Sequence, residues 1–242
     1  MQLEGKRIIV LGGTSGIGLS VTRLASEEGA TVVVASSNQA KIDRAIKTLP
    51  QTAKGAVIDL KSEGSIKAFF EEASEFDHLV YTAGEPLLSG SIDTLPLKQA
   101  QDFFAIRFWG AFLAVKYGAP KIKKGGSIAL SSGMASRRSR KGWSVISSVC
   151  GAVESLTRQL AVELAPIRVN VVCPGLVKTE LWDGMTEAAR EAMYQNAGKT
   201  LLTGRPGEPD ELAEAYLYVM KSGFSTGQIV VVDGGASVGT PG

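Results

Sequence analysis

The stretch Lys6–Gly18, KRIIVLGGTSGIG, decides the fold. Ile8-Ile9-Val10-Leu11 is an unbroken aliphatic run, too short for a helix and typical of a strand buried on both faces. Gly12, Gly16 and Gly18 follow in G-x-x-x-G-x-G spacing. Residues 16–28 then carry Ile17, Val21, Leu24 and Ala25 at helical spacing. A strand, a glycine-rich turn and a helix in this order let the backbone turn tightly and approach a phosphate group. The helix N-terminus supplies unpaired N–H groups and the positive end of its dipole. A ligand-free turn could use the same residues, but the flanking elements favour the phosphate reading.

Outward from this unit the strand–helix alternation continues. TVVVA (31–35) reads as a second strand, 39–49 as a helix, 56–58 as the end of a third strand, 62–75 as a helix and HLVYT (78–82) as a fourth strand. A long helical segment over 97–123 is interrupted only by Pro120, and a strand is expected at 126–130. A helix over 143–164 stops before Pro166; RVNVVC (168–173) is a sixth strand, 184–198 a surface helix, 209–220 an acid-opened helix and 228–232 a last strand. This pattern predicts an α/β fold: a single doubly wound Rossmann-type domain over residues 1–242. Its parallel sheet of about seven strands has helices on both faces and a cleft beyond the strand carboxyl ends.

Composition narrows the function. The 28 glycines in 242 residues are about 12%, against about 7% in average proteins. A net charge of +2 excludes a strong nucleic-acid field. Two cysteines, Cys150 and Cys173, make no disulfide framework, and with the single His78 they make no usual zinc site, so no metal is expected. A reducing, cytoplasmic setting fits this usage. The first residues lack the long apolar region of a signal peptide, and no run of ~18 apolar residues predicts a membrane span. His78 is assigned a surface role at the start of its strand.

Several motifs in order make the chain resemble the short-chain dehydrogenase/reductase family over nearly its whole length. They are Gly12/Gly16/Gly18, Asp59 after the third strand, Thr82-Ala83-Gly84 after the fourth, Ser131-Ser132 after the fifth, and Pro174-Gly175-Leu176-Val177-Lys178-Thr179 after the sixth. The segments LAVELAP (160–166) and RVNV (168–171) add to it. The resemblance implies a dinucleotide held by Gly12, Thr14, Ser15, Gly16, Ile17, Gly18, Ser37, Asn38, Asp59, Leu60, Ala83, Gly84, Pro174, Gly175, Val177 and Thr179. Asp59 could accept from an adenine amino group or could close a strand-end turn. Thr179 could hold a carboxamide or could cap a helix ahead of Glu180. The second strand ends in Ala35-Ser36-Ser37-Asn38 without the carboxylate that would hold the ribose hydroxyls of NAD, so NADP(H) is favoured over NAD(H). The family's usual arginine is missing there, and Lys41 is the nearest cation.

The resemblance also implies a Ser–Tyr–Lys site with an assisting Asn. A tyrosine of pKa ~10 needs a neighbouring lysine to move protons near neutrality. Ser132 is kept, but the Tyr, Lys and Asn positions fall on Ile146, Cys150 and Arg107. The Tyr117–Lys121 pair has the right spacing in the wrong place. Ser132 and Arg107 are therefore the catalytic candidates, Arg107 as a fixed cation at an oxyanion or in a salt bridge. Trp143, Ile146 and Cys150 are the substrate-pocket candidates, Cys150 as a thiol or a small hydrophobe.

Three functions remain open. The first is an NADP(H)-binding oxidoreductase with a non-standard site. The second is a non-redox cyclase, isomerase or elimination catalyst on the same scaffold. The third is a catalytically silent dinucleotide- or ligand-binding protein. The expected partner is a small molecule, anionic if the basic run Arg137-Arg138-Ser139-Arg140-Lys141 flanks it, with neither nucleic acid nor membrane involved. Residues 184–204 are expected to form a lid. Ala111, Leu113, Ala114, Val153, Leu156 and Leu160 are expected to seam a homotetramer or homodimer.

Overall fold

In a computed structural model describing residues 3–241, the first strand β1 (Arg7–Leu11) divides its side chains between two cores. Ile9 and Leu11 join one cluster with Phe70, Leu79, Tyr81, Val153 and Leu160; Ile8 and Val10 join another with Val21, Ala25, Leu212 and Tyr216. Both faces are buried because helices cover both, as the parallel connections require. The remaining strands are β2 (Thr31–Ser36), β3 (Lys54–Val57), β4 (Phe76–Tyr81), β5 (Ile122–Ser131), β6 (Arg168–Pro174) and β7 (Ile229–Val232). They form one parallel seven-stranded sheet in the order β3-β2-β1-β4-β5-β6-β7. The order turns back between β1 and β4, which places a crevice at their carboxyl ends.

The helices are α1 (Gly16–Glu27), α2 (Gln39–Thr48), α3 (Glu63–Glu72), α4 (Leu97–Phe104), α5 (Ala111–Gly118), α6 (Ser144–Glu163), α7 (Glu187–Thr200) and α8 (Pro209–Lys221). Arg168 ties α8 to the sheet. It donates from Nη1 to the carbonyls of Val219 and Ser222, both at 2.7 Å, and from Nη2 to Met220 at 2.7 Å, supplying partners for carbonyls a helix end leaves orphaned.

Several expectations shift. The long segment over 97–123 is not one helix: α4 passes through a π-helical turn, Ala105–Gly110, into α5, and a 3-10 turn follows at Ala119–Lys121. The Tyr81 hydroxyl supports this turn by donating to the Ile106 carbonyl at 2.5 Å. β5 begins at Ile122, and its register against β4 slips between Phe76 and His78. His78 is not at the surface. It is 4% exposed and bonded through Nδ1 to Ser127 Oγ at 2.8 Å, and burial lowers its pKa to about 4. Four of the six seam residues, Ala111, Ala114, Val153 and Leu160, are spent in the chain's own core. The exposed apolar residues of the α4–α5 unit are instead Leu97, Trp109 and Phe112.

Candidate functional site

The glycine turn is closed by β4's exit. A Cβ on Gly12, whose φ is +89°, would stand 2.6 Å from Ala83 N and 2.7 Å from Ala83 Cα. One on Gly18 would strike the Gly12 carbonyl and the Thr82 hydroxyl. The turn thus leads into α1 without room for a side chain at Gly12 or Gly18. At that helix end Ser15 makes no side-chain capping bond and no acidic residue sits in the first turn. The dipole of this helix end favours an anion, and the chain's own Glu180 carboxylate already comes near, its Oε2 3.3 Å from where a Cβ on Gly16 would stand. A Cβ on Gly16 would be 3.1 Å from Thr179, so the loop after β6 reaches the same place. Thr179 occupies a helix-entry position but makes no capping bond, so its hydroxyl is not used that way. A cleft of about 400 Å³ opens alongside, between Gly16, Ser20, Lys178, Thr179, Arg190 and Tyr194.

Ser37 and Asn38 are exposed at the end of β2, where Asn38 Oδ1 caps α2 by accepting from Lys41 N at 3.1 Å. Its carboxamide NH₂ and the second lone pair of Oδ1 are left for another partner. Asp59 Oδ1 accepts from Lys61 N at 2.9 Å, the strand-end turn named above, with the carboxylate still exposed. Leu60 and Val177 have buried side chains, so only their backbones can face a ligand.

Arg107 sits in the π-helical turn and is aimed inward. Its guanidinium lies against Gly84, where a Cβ would be 2.7 Å from Cζ. It donates to the Glu85 carbonyl and lies 4.9 Å over the Phe103 ring. Burial pulls its pKa down, opposed by Cys150, Glu85 and Tyr81. Its Nε is buried without a hydrogen-bond partner, as is Glu85 Oε2, while Glu85 Oε1 pairs with Lys61 at 2.9 Å.

On α6 the positions Ile146 and Cys150 fall on one stripe, four residues apart. They join Phe103, Ala135 and Val149 in an apolar cluster that Leu88, Phe104 and Trp143 flank. Cys150 lies close to Gly133, which follows Ser132, and burial pushes its thiol up to about 12. That favours the small-hydrophobe reading over a reactive thiol. The next position on the stripe, Glu154, was not singled out from the sequence. It is 7% exposed, and its Oε1 accepts from Ser132 Oγ at 3.2 Å and from Ser136 Oγ at 2.6 Å. Its Oε2 is 3.5 Å from Arg137 Nη2. The i+4, i+8 continuation from Ile146 was the available signal.

The basic run is partly spent within the chain. Arg137 pairs with Glu154, Arg138 donates to the Ala236 carbonyl at 3.2 Å, and Arg140 stacks 5.5 Å from the Trp143 ring. Tyr117 donates to Glu63 at 2.6 Å, far from Ser132's network, which leaves the Tyr117–Lys121 spacing without a site. Among the described residues no cluster of three or more His, Cys, Asp or Glu could hold a metal, and no helix is long and apolar enough to cross a membrane.

With this crevice described, comparisons with known proteins give the class. Residues 12–237 match the family model described as Enoyl-(Acyl carrier protein) reductase. The chain belongs to the short-chain dehydrogenase/reductase family. It is 35% identical over 259 residues to the short-chain dehydrogenase/reductase ucsE of Acremonium sp, covering 98% of this chain and 97% of that one. A small-chain dehydrogenase solved in complex with NADPH is 37% identical with a TM-score of 0.83, covering 98% of this chain and 100% of that one. The MalC reductase/Diels-Alderase from Malbranchea aurantiaca is 33% identical with a TM-score of 0.90, covering 97% of each chain.

Proposed function

We propose that the protein is an NADP(H)-dependent oxidoreductase whose site works without the family's tyrosine and lysine. The observation that carries the cofactor part is the tight turn Gly12–Gly18, which has no room for a Cβ at Gly12 or Gly18, closes on Ala83 and leads into a helix N-terminus that Ser15 does not cap. That cradle fits a pyrophosphate. Thr14, Ser15, Ile17 and the backbones of Ala83, Gly84, Leu60, Pro174, Gly175 and Val177 would line the rest, with Thr179 toward the nicotinamide. The absence of a carboxylate at Ser36-Ser37-Asn38 spares a ribose phosphate from repulsion, and the NADPH complex of a 37% identical relative supports the same cofactor.

The cofactor supplies a hydride when bound. Ser132 then polarises the substrate oxygen, and Arg107, a fixed cation in the π-helical turn, stabilises charge on it. Ile146 and Cys150 take the Tyr and Lys positions, so neither can pass the proton. With Trp143 and Phe104 they offer an apolar wall to a small carbonyl or imine substrate. Residues 184–204, which carry α7, act as the lid, and assembly runs through the α4–α5 face carrying Trp109 and Phe112.

A second reading is a non-redox reaction, favoured by the relative described as both reductase and Diels-Alderase. The test is to confirm NADPH binding by fluorescence and then to follow the loss of its near-ultraviolet absorbance over a panel of carbonyls and imines. Consumption that stops in Ser132→Ala supports the oxidoreductase. Tight binding without consumption, even after Ile146→Tyr with Cys150→Lys, supports the second reading or a silent binder.

A further inference from the structure

We propose that Glu154 is the proton station of this site, acting through Ser132 in place of the missing tyrosine; this rests on the oxidoreductase reading above. The loss of Tyr and Lys leaves Ser132, which has no proton reserve of its own: a hydroxyl without a base partner is a poor acid. Glu154 is that partner. It is buried, one helical step past Cys150, and it accepts the Ser132 hydroxyl proton at 3.2 Å. Two further groups hold it in place, Ser136 Oγ at 2.6 Å and Arg137 Nη2 at 3.5 Å. Cys173 of β6 and Cys150 of α6 are the remaining titratable neighbours, and burial raises both thiols, so Arg137 is the charged group facing the carboxylate.

In alcohol oxidation the carbinol C–H bond breaks and its hydride leaves for the oxidised cofactor. The substrate O–H proton passes to Ser132 Oγ as the Ser132 proton passes to Glu154 Oε1. The products are a carbonyl, a reduced cofactor and a protonated Glu154, which later releases its proton to solvent. Reduction runs the same path backward. Glu154 touches neither substrate nor cofactor; it is a positioning and relay residue.

The first arm of the test needs neither substrate nor cofactor. The thiol introduced by Ser132→Cys is alkylated with iodoacetamide at neutral pH, alone and together with Glu154→Gln. A neighbouring carboxylate suppresses the thiolate, so the added Gln should speed alkylation at least about threefold. An unchanged rate overturns the proposal whatever the protein catalyses. In the second arm, the 1-tetralone/1-tetralol pair and any pair that passes the NADPH screen are followed against pH. The wild type should lose oxidation rate toward acid, and Glu154→Gln should lose that limb and about 10²-fold in kcat with NADPH affinity unchanged. Ser136→Ala, which leaves Ser132 untouched, should displace the limb, so the inference does not hang on one variant. Hydride transfer with an unchanged pH profile in both variants overturns the relay alone. Faster alkylation without any hydride transfer by the wild type overturns the oxidoreductase reading, and the relay falls with it.

Discussion

Three Gly→Ala substitutions separate the two demands that the glycine turn makes. At Gly64, on the exposed first turn of α3, the nearest atom to an added Cβ is Ser62 Oγ at 3.8 Å, and φ is ordinary. Alanine there should stabilise by about 0.5 kcal/mol, through lower unfolded-chain entropy and better helix propensity. Gly125 has φ +85° with nothing within 4 Å, so Ala pays only the left-handed conformation, about 1 kcal/mol. Gly12 has φ +89° and three backbone atoms of Thr82 and Ala83 between 2.6 and 2.9 Å from the new carbon. Backbone cannot swing aside as a flexible side chain can, so overpacking of about 1–3 kcal/mol adds to the conformational cost. Gly12→Ala should therefore destabilise by about 2–4 kcal/mol in urea unfolding at unchanged m, or roughly 5–15 °C in Tm for a chain of this size. It should also weaken NADPH at least about tenfold by moving β4's exit away from the turn. Equal stabilities for Gly12→Ala and Gly125→Ala would refute the close approach of the two segments.

Removing the Arg168 clamp by Arg168→Met should cost about 3 kcal/mol, since three carbonyls at 2.7 Å lose a charged donor, and Arg168→Lys should recover only part because one ammonium cannot reach them all. His78 has a folded pKa of about 4 against an ordinary 6.5, so the unfolded chain binds the extra proton between those values. Its stabilisation is complete above about pH 6.5 and is lost as pH falls, about 2 kcal/mol by about pH 5, and His78→Asn should flatten that slope in urea titrations. Cys150, its thiol raised to about 12 by burial, should resist iodoacetamide in the native protein and react on unfolding; prompt native labelling would contradict the packing of α6 against Gly133.

How much of this was legible depended on where each residue's partners lie. β1, β2 and β6 announced themselves because strands buried on both faces need continuous aliphatic runs, and their helices carry 3.6-residue periodicity beside them. The start of β5 did not, because Lys123, Lys124 and Gly125 are exposed and polar within it. The π-helical turn was hidden for a different reason. What supports it, the Tyr81 hydroxyl on the Ile106 carbonyl, joins residues of different elements, and a helical window over 97–123 sees neither the bond nor the strand. His78 was misplaced since only its cross-strand partner Ser127 makes burial of an imidazole affordable. At the site, the glycine turn and Ser132 were readable as motifs. Glu154 was not, as its three partners come from β5's exit and the turn after it.

The central proposal is that this site moves a hydride without the family's tyrosine and lysine. The most direct measurement is mass spectrometry of the product formed with NADPH deuterated at the nicotinamide C4. The account predicts one deuterium carried to the former carbonyl or imine carbon, in a reaction that Ser132→Ala abolishes. A product formed without deuterium from either C4 epimer of the cofactor, or one that forms as readily when NADPH is left out, would contradict it.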